Sequence, residues 1–325
     1  MDIEEIKLNE YIMKEKFNIK LEEVAGLEKE KEYFKKFIIN PVKFQKHFKS
    51  NTKPLKGILL YGPPGVGKTY LSKAVANEIE GHFFYVSGPM LVSKWLAQSN
   101  SGRIIKDIFD YAKKKKLAVI CFDEIDFMTN SNNDNDITRI YKQEFLNQMK
   151  ELENEEGVVI LGIAAKPWEL DRAVRKCFQK KINIPLPELN ARKIMIHFNL
   201  KDFQHNITDE QIEYLAKNTE FFSCSDIYSI SQDAYYEPFR KCQKAEYFKK
   251  IKGNNSLEWN YTPCQKNESG AIKMKMSEIT DPKTILPPKL NFEDFKKVLV
   301  RTRPAVGPDD LKKYEKYNEE FNQEE

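Results

Sequence analysis

Gly57-Ile58-Leu59-Leu60-Tyr61-Gly62-Pro63-Pro64-Gly65-Val66-Gly67-Lys68-Thr69 is the stretch on which the fold turns. Residues 57–61 form a short apolar run of strand type, and a helical pattern through Glu80 follows the glycine loop, so the order is strand, loop, helix. The pattern from Gly62 to Thr69 is GxxxxGK[ST] in full. Glycines let the backbone curl until its N–H groups converge on phosphate oxygens, and the helix that follows adds its positive end. Lys68 supplies a charge for β and γ phosphates, and Thr69 a hydroxyl of the kind Mg²⁺ takes.

A second apolar run, Ala118-Val119-Ile120-Cys121-Phe122, ends in Asp123-Glu124, roughly fifty residues further on. In an open α/β sheet, ligands bind at the carboxyl ends of the strands. Two acids there can divide the chemistry between them, with Asp123 holding Mg²⁺ and Glu124 polarising the water that attacks the γ phosphate. The reading is therefore a Mg²⁺-ATP site with Lys68, Asp123 and Glu124 as its catalytic groups and Thr69 and Asp123 at the metal.

Around this motif the chain alternates. Apolar runs near 58–61, 83–86, 118–122, 158–163 and 182–186 are separated by charged helical stretches, which predicts a parallel sheet with helices on both faces over 21–187. Residues 1–20 are a charged leader too short for a domain of its own. From Glu188 the strand signals stop, and Ile212, Leu215 and Ala216, then Ser225-Asp226 before Ile227 and Ile230, read as a small helical domain over 188–252. Composition shifts to Asn, Gly, Pro and Ser over 253–289, where Ile272-Lys273-Met274-Lys275-Met276 alternates as a short strand. Over 290–325 the chain returns to helix. The last one starts at Pro308 with acids at its positive end and Leu311, Tyr314 and Phe321 at near-helical spacing, so it packs back onto the body or hangs free as an amphipathic tail.

Composition limits the alternatives. The 325 residues exceed one compact domain, and 41% hydrophobic with 31% charged residues suits a soluble intracellular protein. The net charge of +4 is the small difference between 53 basic and 49 acidic residues, with Lys113 to Lys116 the obvious run, a pattern of solvated helix ends rather than of nucleic-acid binding. Five scattered cysteines without a CxxC pair read as reduced thiols, and the histidines show no zinc spacing. No signal pattern and no run of about 18 apolar residues occurs, so membranes are reached through partners.

The chain resembles the AAA ATPases of the meiotic clade. Val24-Ala25-Gly26-Leu27, the loop 62–69, Leu91-Val92-Ser93-Lys94-Trp95-Leu96, Asp123-Glu124-Ile125-Asp126, Pro167-Trp168 and Ile184-Pro185-Leu186-Pro187 carry the likeness. Severing enzymes such as katanin and spastin share those stretches. Thr262-Pro263-Cys264, Gly270-Ala271-Ile272-Lys273-Met274, Thr302-Arg303-Pro304 and Asp309-Asp310-Leu311 instead resemble the vacuolar-sorting branch.

The resemblance implies a P-loop AAA domain plus a small helical domain with a β insertion and a C-terminal helix. It extends the nucleotide-binding set to Ala25, Gly26, Gly62, Pro63, Pro64, Gly65, Val66, Gly67, Lys68, Thr69 and Tyr70. It also implies a homo-hexamer in the presence of ATP, ESCRT-III subunits as polypeptide substrate, an assembly-promoting cofactor protein at the β insertion, and a cytoplasmic enzyme recruited to endosomal or other membranes. By spacing Trp95 reads as a core residue; by resemblance Lys94, Trp95 and Leu96 face the hexamer pore and grip substrate. A second pore loop falls around Asn132 to Arg139. The family's amino-terminal microtubule-interacting-and-transport module is absent from this sequence.

Departures bear on catalysis. After Leu96 the glycine-acidic pattern is replaced by Ala97-Gln98-Ser99-Asn100-Ser101-Gly102, with two extra residues. The polar residue that helps place the lytic water aligns with Ala165, and the family's trans-acting arginines align with Lys176-Cys177. Arg175, Lys176 and Lys180 are the cations left to reach a neighbouring subunit. Cys224 stands where the family has a glycine near the adenine. The intact P-loop implies an ATPase; the losses at 165 and 177 leave a slow nucleotide-binding adaptor as the other reading, and microtubule severing as a third.

Overall fold

A computed structural model describes residues 12–13, 19–43, 55–91, 102–129, 136–155, 157–252 and 259–321. The chain divides into two compact units, one of residues 1–186 with 306–325 and the other of residues 187–305.

The first unit is built on a six-stranded sheet. Its strands are β1 (Ile12–Met13), β2 (Gly57–Tyr61), β3 (His82–Ser87), β4 (Ala118–Asp123), β5 (Val158–Ala164) and β6 (Lys180–Asn183), in the order β1-β3-β4-β5-β2-β6. All pairs are parallel except β1 against β3. Strands β2, β4 and β5 are buried at every position, which is why they read as continuous apolar runs rather than alternating ones. The leader contributes the edge strand β1, a pairing that two residues could not announce in sequence. The strand expected over 182–186 lies instead at Lys180–Asn183, and Pro185, which has no N–H to give a ladder, falls beyond its end.

Helices cover both faces. On one side α1 (Glu28–Phe34) and α2 (Lys68–Glu78) bury Phe34, Leu71, Ala74 and Val75 against Ile58, Leu60, Val119 and Cys121. On the other, α3 (Gly102–Lys113), α4 (Asp136–Glu151) and α5 (Arg172–Cys177) bury Ile108, Phe109, Phe145 and Val174 against Phe122 and Ile160. On this face Phe122 and Phe145 meet edge-on, with centroids 5.1 Å apart.

In the second unit, α6 (Leu189–Leu200), α7 (Asp209–Lys217), α8 (Cys224–Lys244) and α9 (Phe292–Arg301) enclose a core of Ile196, Leu215, Ile227, Ile230, Phe295 and Val298. Thr208, Ser223 and Asn291 open three of these helices with reciprocal capping boxes. Cys224 is the first residue of α8, directly after its cap. A three-stranded antiparallel sheet follows α8: β7 (Tyr247–Lys252) pairs with both β8 (Trp259–Pro263) and β9 (Ala271–Lys273). The alternation read over 272–276 is thus cut short. Met274 still donates its N–H to Glu246 O, but Met276–Glu278 is already a 3-10 turn.

The last helix, α10 (Pro308–Phe321), belongs to the first unit. Tyr314 and Tyr317 are its buried positions and join the core beneath Tyr61, whose hydroxyl donates to Asn318 at 2.6 Å. Phe321 remains 40% exposed, and Leu311 is half-buried. The inward stripe is therefore 314 and 317 rather than 311, 314 and 321.

Candidate active site

Strands β2, β4 and β5 end together, and most of the polar groups of the site follow those three ends. After Tyr61 the loop 62–67 leaves the sheet with Gly62 at φ 145°, where an added Cβ would collide with the carbonyl oxygen of Ile184. A side chain cannot fit there, and Gly65 (φ 77°) and Gly67 (φ 90°) continue the curl in the left-handed region that favours glycine. Val66 is buried in the core beneath and anchors the loop, while Pro64 is exposed. Lys68, the first residue of α2, donates from Nζ to the carbonyl oxygens of Gly62 and Pro63, both at 2.8 Å. Burial pulls its pKa down to about 8, with Asp123 and Asp126 working in the opposite direction.

At the end of β4, Asp123 is fixed from three directions. Its Oδ2 accepts from the Thr69 hydroxyl at 2.6 Å and the Tyr85 hydroxyl at 2.9 Å, and its Oδ1 from the Glu124 N–H at 3.0 Å. Glu124 follows with φ 54° and ψ 44°, a left-handed conformation that a side chain adopts at a cost and that throws the carboxylate out of the strand line. Its exposed carboxyl is raised by desolvation and by the charges of Asp123 and Asp126. Asp126, buried, accepts from the Lys166 N–H at 2.8 Å through Oδ2, while Oδ1 has no hydrogen-bond partner among the described residues. Desolvation raises this carboxyl too.

Thr69 and Asp123 offer a hydroxyl and a carboxylate oxygen side by side, a hard-oxygen pair suited to Mg²⁺, which commonly takes one or two protein ligands and completes its shell with phosphate and water. No group of three or more His, Cys, Asp and Glu side chains able to hold a metal occurs among the described residues.

Not every residue singled out in the sequence sits at this cluster. Ala25 and Gly26 form a turn next to α2, with Gly26 at φ 68° and neighbouring Val24 buried in the same cluster as Leu71 and Val75. Tyr70 is 42% exposed. Lys94, Trp95 and Leu96, and much of the stretch 132–139, lie outside the described residues. Ala165 follows the end of β5; its carbonyl oxygen accepts from the Tyr314 hydroxyl of α10.

Arg175 is held within its own subunit, donating from Nη2 to Leu170 O at 2.9 Å, with its guanidinium 5.8 Å from the Tyr317 ring and 4.7 Å from the Phe321 ring. Lys176 and Lys180 are exposed, and so is Arg172, one turn before Lys176 on α5. Cys177 Sγ donates to Ala173 O. Tyr85 and Arg172 give no signal in the sequence because neither belongs to a motif.

The comparisons with known proteins agree with this geometry. Residues 58–186 match the family model "ATPase family associated with various cellular activities (AAA)", and 261–321 match "Vps4 C terminal oligomerisation domain". The chain is 42% identical to human vacuolar protein sorting-associated protein 4A, over 99% of this chain and 76% of that one. It is 40% identical to the Arabidopsis thaliana protein SUPPRESSOR OF K(+) TRANSPORT GROWTH DEFECT 1, over 98% of this chain and 73% of that one. Among solved structures, the FIGL-1 AAA domain in complex with ADP superposes with a TM-score of 0.79 at 27% identity, covering 99% of this chain and 97% of that chain. With its P-loop, its acidic strand end and a carboxyl-terminal oligomerisation region, the chain belongs to the AAA ATPases, in the vacuolar protein sorting-associated protein 4 family.

Proposed function

We propose that the chain is a Mg²⁺-ATP-driven hexameric translocase that pulls subunits out of ESCRT-III filaments at endosomal or other membranes, which it reaches through partner proteins. The observation that carries the reading is the cluster at the strand ends, where Thr69 Oγ1 stands 2.6 Å from Asp123 Oδ2 with Lys68 on the same loop and Glu124 next in the chain. When bound, Mg²⁺ neutralises phosphate charge. Lys68 and the loop N–H groups would bind the phosphates, Thr69 and Asp123 would hold the metal, and Glu124 would orient and polarise the attacking water. Ala25, Gly26 and Tyr70 complete the nucleotide-binding set. Lys94, Trp95 and Leu96 are the residues proposed to grip substrate, and the sheet β7–β9 the surface for an assembly-promoting protein. Two likenesses support this: the family match over nearly the whole chain and an ADP complex in a structural relative.

The test is disassembly. Preformed ESCRT-III filaments are mixed with the chain and Mg²⁺-ATP and followed by sedimentation. Filament loss that needs ATP, and that vanishes in Glu124→Gln and Trp95→Ala, is the expected result. ATP turnover that rises with protein concentration while filaments stay intact sinks the substrate assignment.

A second reading, a slow nucleotide-binding adaptor, is favoured by Ala165, Cys177 and the captive Arg175. Introducing Ala165→Asn with Cys177→Arg separates the two. A gain of roughly a hundredfold or more identifies an impaired enzyme, since a trans-acting arginine contributes about three orders of magnitude; an unchanged rate rejects that reading.

A further inference from the structure

Tyr85 is the side chain that reaches Asp123 from β3, outside the P-loop, and no motif accounts for it. It sits on β3, in register with Cys121 of β4, so its ring lies two residues back from the acidic pair on the neighbouring strand. The ring packs against the apolar cluster beneath α2, and Lys73 Nζ lies 5.9 Å from its centroid. From that seat the hydroxyl meets Asp123 Oδ2 at 2.9 Å, the oxygen Thr69 also addresses.

An ionised carboxylate offers about four acceptor positions, and protein donors fill three of them here. Two of those donors belong to groups with other work: Thr69 offers its oxygen to the cation, and the Glu124 N–H moves with the strained residue that carries the catalytic carboxylate. Tyr85 has no such second duty. Its ring packs against the sheet's apolar cluster rather than on the loop, and a hydrogen bond to a charged group is among the stronger ones in a protein.

We propose that Tyr85 is a positioning residue for the Mg²⁺ site, holding the Asp123 carboxylate in the orientation that receives the metal. The proposal rests on the Mg²⁺-ATP reading of the site. A tyrosine of purely structural use would be replaced by phenylalanine with no effect specific to the metal, because the ring and its packing are kept.

The experiment measures the affinity of a fluorescent ATP analogue for wild type and Tyr85→Phe, in EDTA and across a Mg²⁺ titration. For Tyr85→Phe the affinity in EDTA stays within about twofold of wild type, while the gain that Mg²⁺ confers falls roughly tenfold and the half-saturating Mg²⁺ concentration rises to match. Melting in EDTA without nucleotide checks the fold. Tyr85→Leu serves as a second variant and shows the same loss of Mg²⁺ response. An unchanged Mg²⁺ gain overturns the proposal, as does an equal loss with and without Mg²⁺, which marks a packing role. The wild-type arms stand apart: if wild type binds the analogue with no Mg²⁺ gain, or fails to bind it, the reading of the site falls and Tyr85 with it.

Discussion

The guanidinium of Arg175 lies 4.7 Å from the ring centroid of Phe321 and 5.8 Å from that of Tyr317, so the last helix of the chain closes over the first cation that follows Val174. The same helix sends the Tyr314 hydroxyl to Ala165 O and receives the Tyr61 hydroxyl on Asn318. Ala165, where the family has a polar residue, and Arg175, directly before the departing pair Lys176-Cys177, thus both rest on α10.

Removing Tyr317 tests that support. Its side chain is 3% exposed within the large core of the first unit, so Tyr317→Ala costs about 3 kcal/mol and lowers the melting temperature by several degrees. Phe321→Ala, at the exposed end of the clamp, costs about 1 kcal/mol or less. Chemical unfolding of both variants measures the difference; equal and small losses would show that α10 is not a structural clamp.

Lys68 gives opposite pH trends for binding and stability. Its pKa in the folded chain is about 8, below the ordinary lysine value of 10.5, so the unfolded chain binds more protons between those two values and stability from this group rises with pH there. ATP affinity moves the other way: phosphates need the ammonium, so affinity is flat below pH 8 and weakens above it by up to about tenfold per unit. Melting and nucleotide titrations from about pH 7 to about pH 10, with Lys68→Met as the reference that lacks both trends, check the prediction.

How much of this was legible in the sequence depends on the range of the interaction that fixes each residue. The curl of 62–69 is set by glycines within a few residues, and the burial of β2, β4 and β5 by their own unbroken apolar composition, so both could be read directly. Strand β7 could not, because Tyr247-Phe248-Lys249-Lys250-Ile251-Lys252 is a lysine-rich continuation of a helix until β8 and β9 pair with it. Tyr85 and Arg175 depend on partners from another strand or from the far end of the chain, Asp123 in one case and Tyr317 with Phe321 in the other. A one-dimensional pattern holds no sign of such contacts.

In the second unit, Glu237 of α8 is 1% exposed and receives Arg240 at 2.6 Å, Lys297 at 2.8 Å and Arg301 at 3.2 Å, the last two from α9. Burial alone would raise its carboxyl, but the hydrogen bonds from Lys297 and Arg240 outweigh that and hold it at about 2. Its stabilising effect is therefore complete above the ordinary glutamate value of 4.5 and is lost as pH falls from there toward 2. Glu237→Gln leaves three cations around a neutral amide and costs about 3 kcal/mol at neutral pH. In unfolding experiments the gap between wild type and variant should narrow as pH falls below 4.5; a gap independent of pH would remove the electrostatic explanation.

Gly88 connects packing to the candidate catalytic carboxylate. A Cβ at this position would stand 2.9 Å from the carbonyl oxygen of Glu124 and 3.0 Å from Met128 Cγ. Met128 meets it at Cγ, near the backbone of a fully buried side chain, and the carbonyl belongs to a residue already held at φ 54° in a left-handed conformation. Gly88→Ala must therefore displace the backbone of Glu124 by a few tenths of an ångström. Placement of a general base is sensitive on that scale, so kcat for ATP falls roughly tenfold or more, while nucleotide affinity, set by Lys68 and the loop, stays within about twofold. The destabilisation is about 1 kcal/mol, since the strain is local. Turnover measured beside analogue affinity on the same preparation decides it: losses in parallel would mean that the substitution disturbs the whole strand end, and an unchanged kcat that Glu124 tolerates the move.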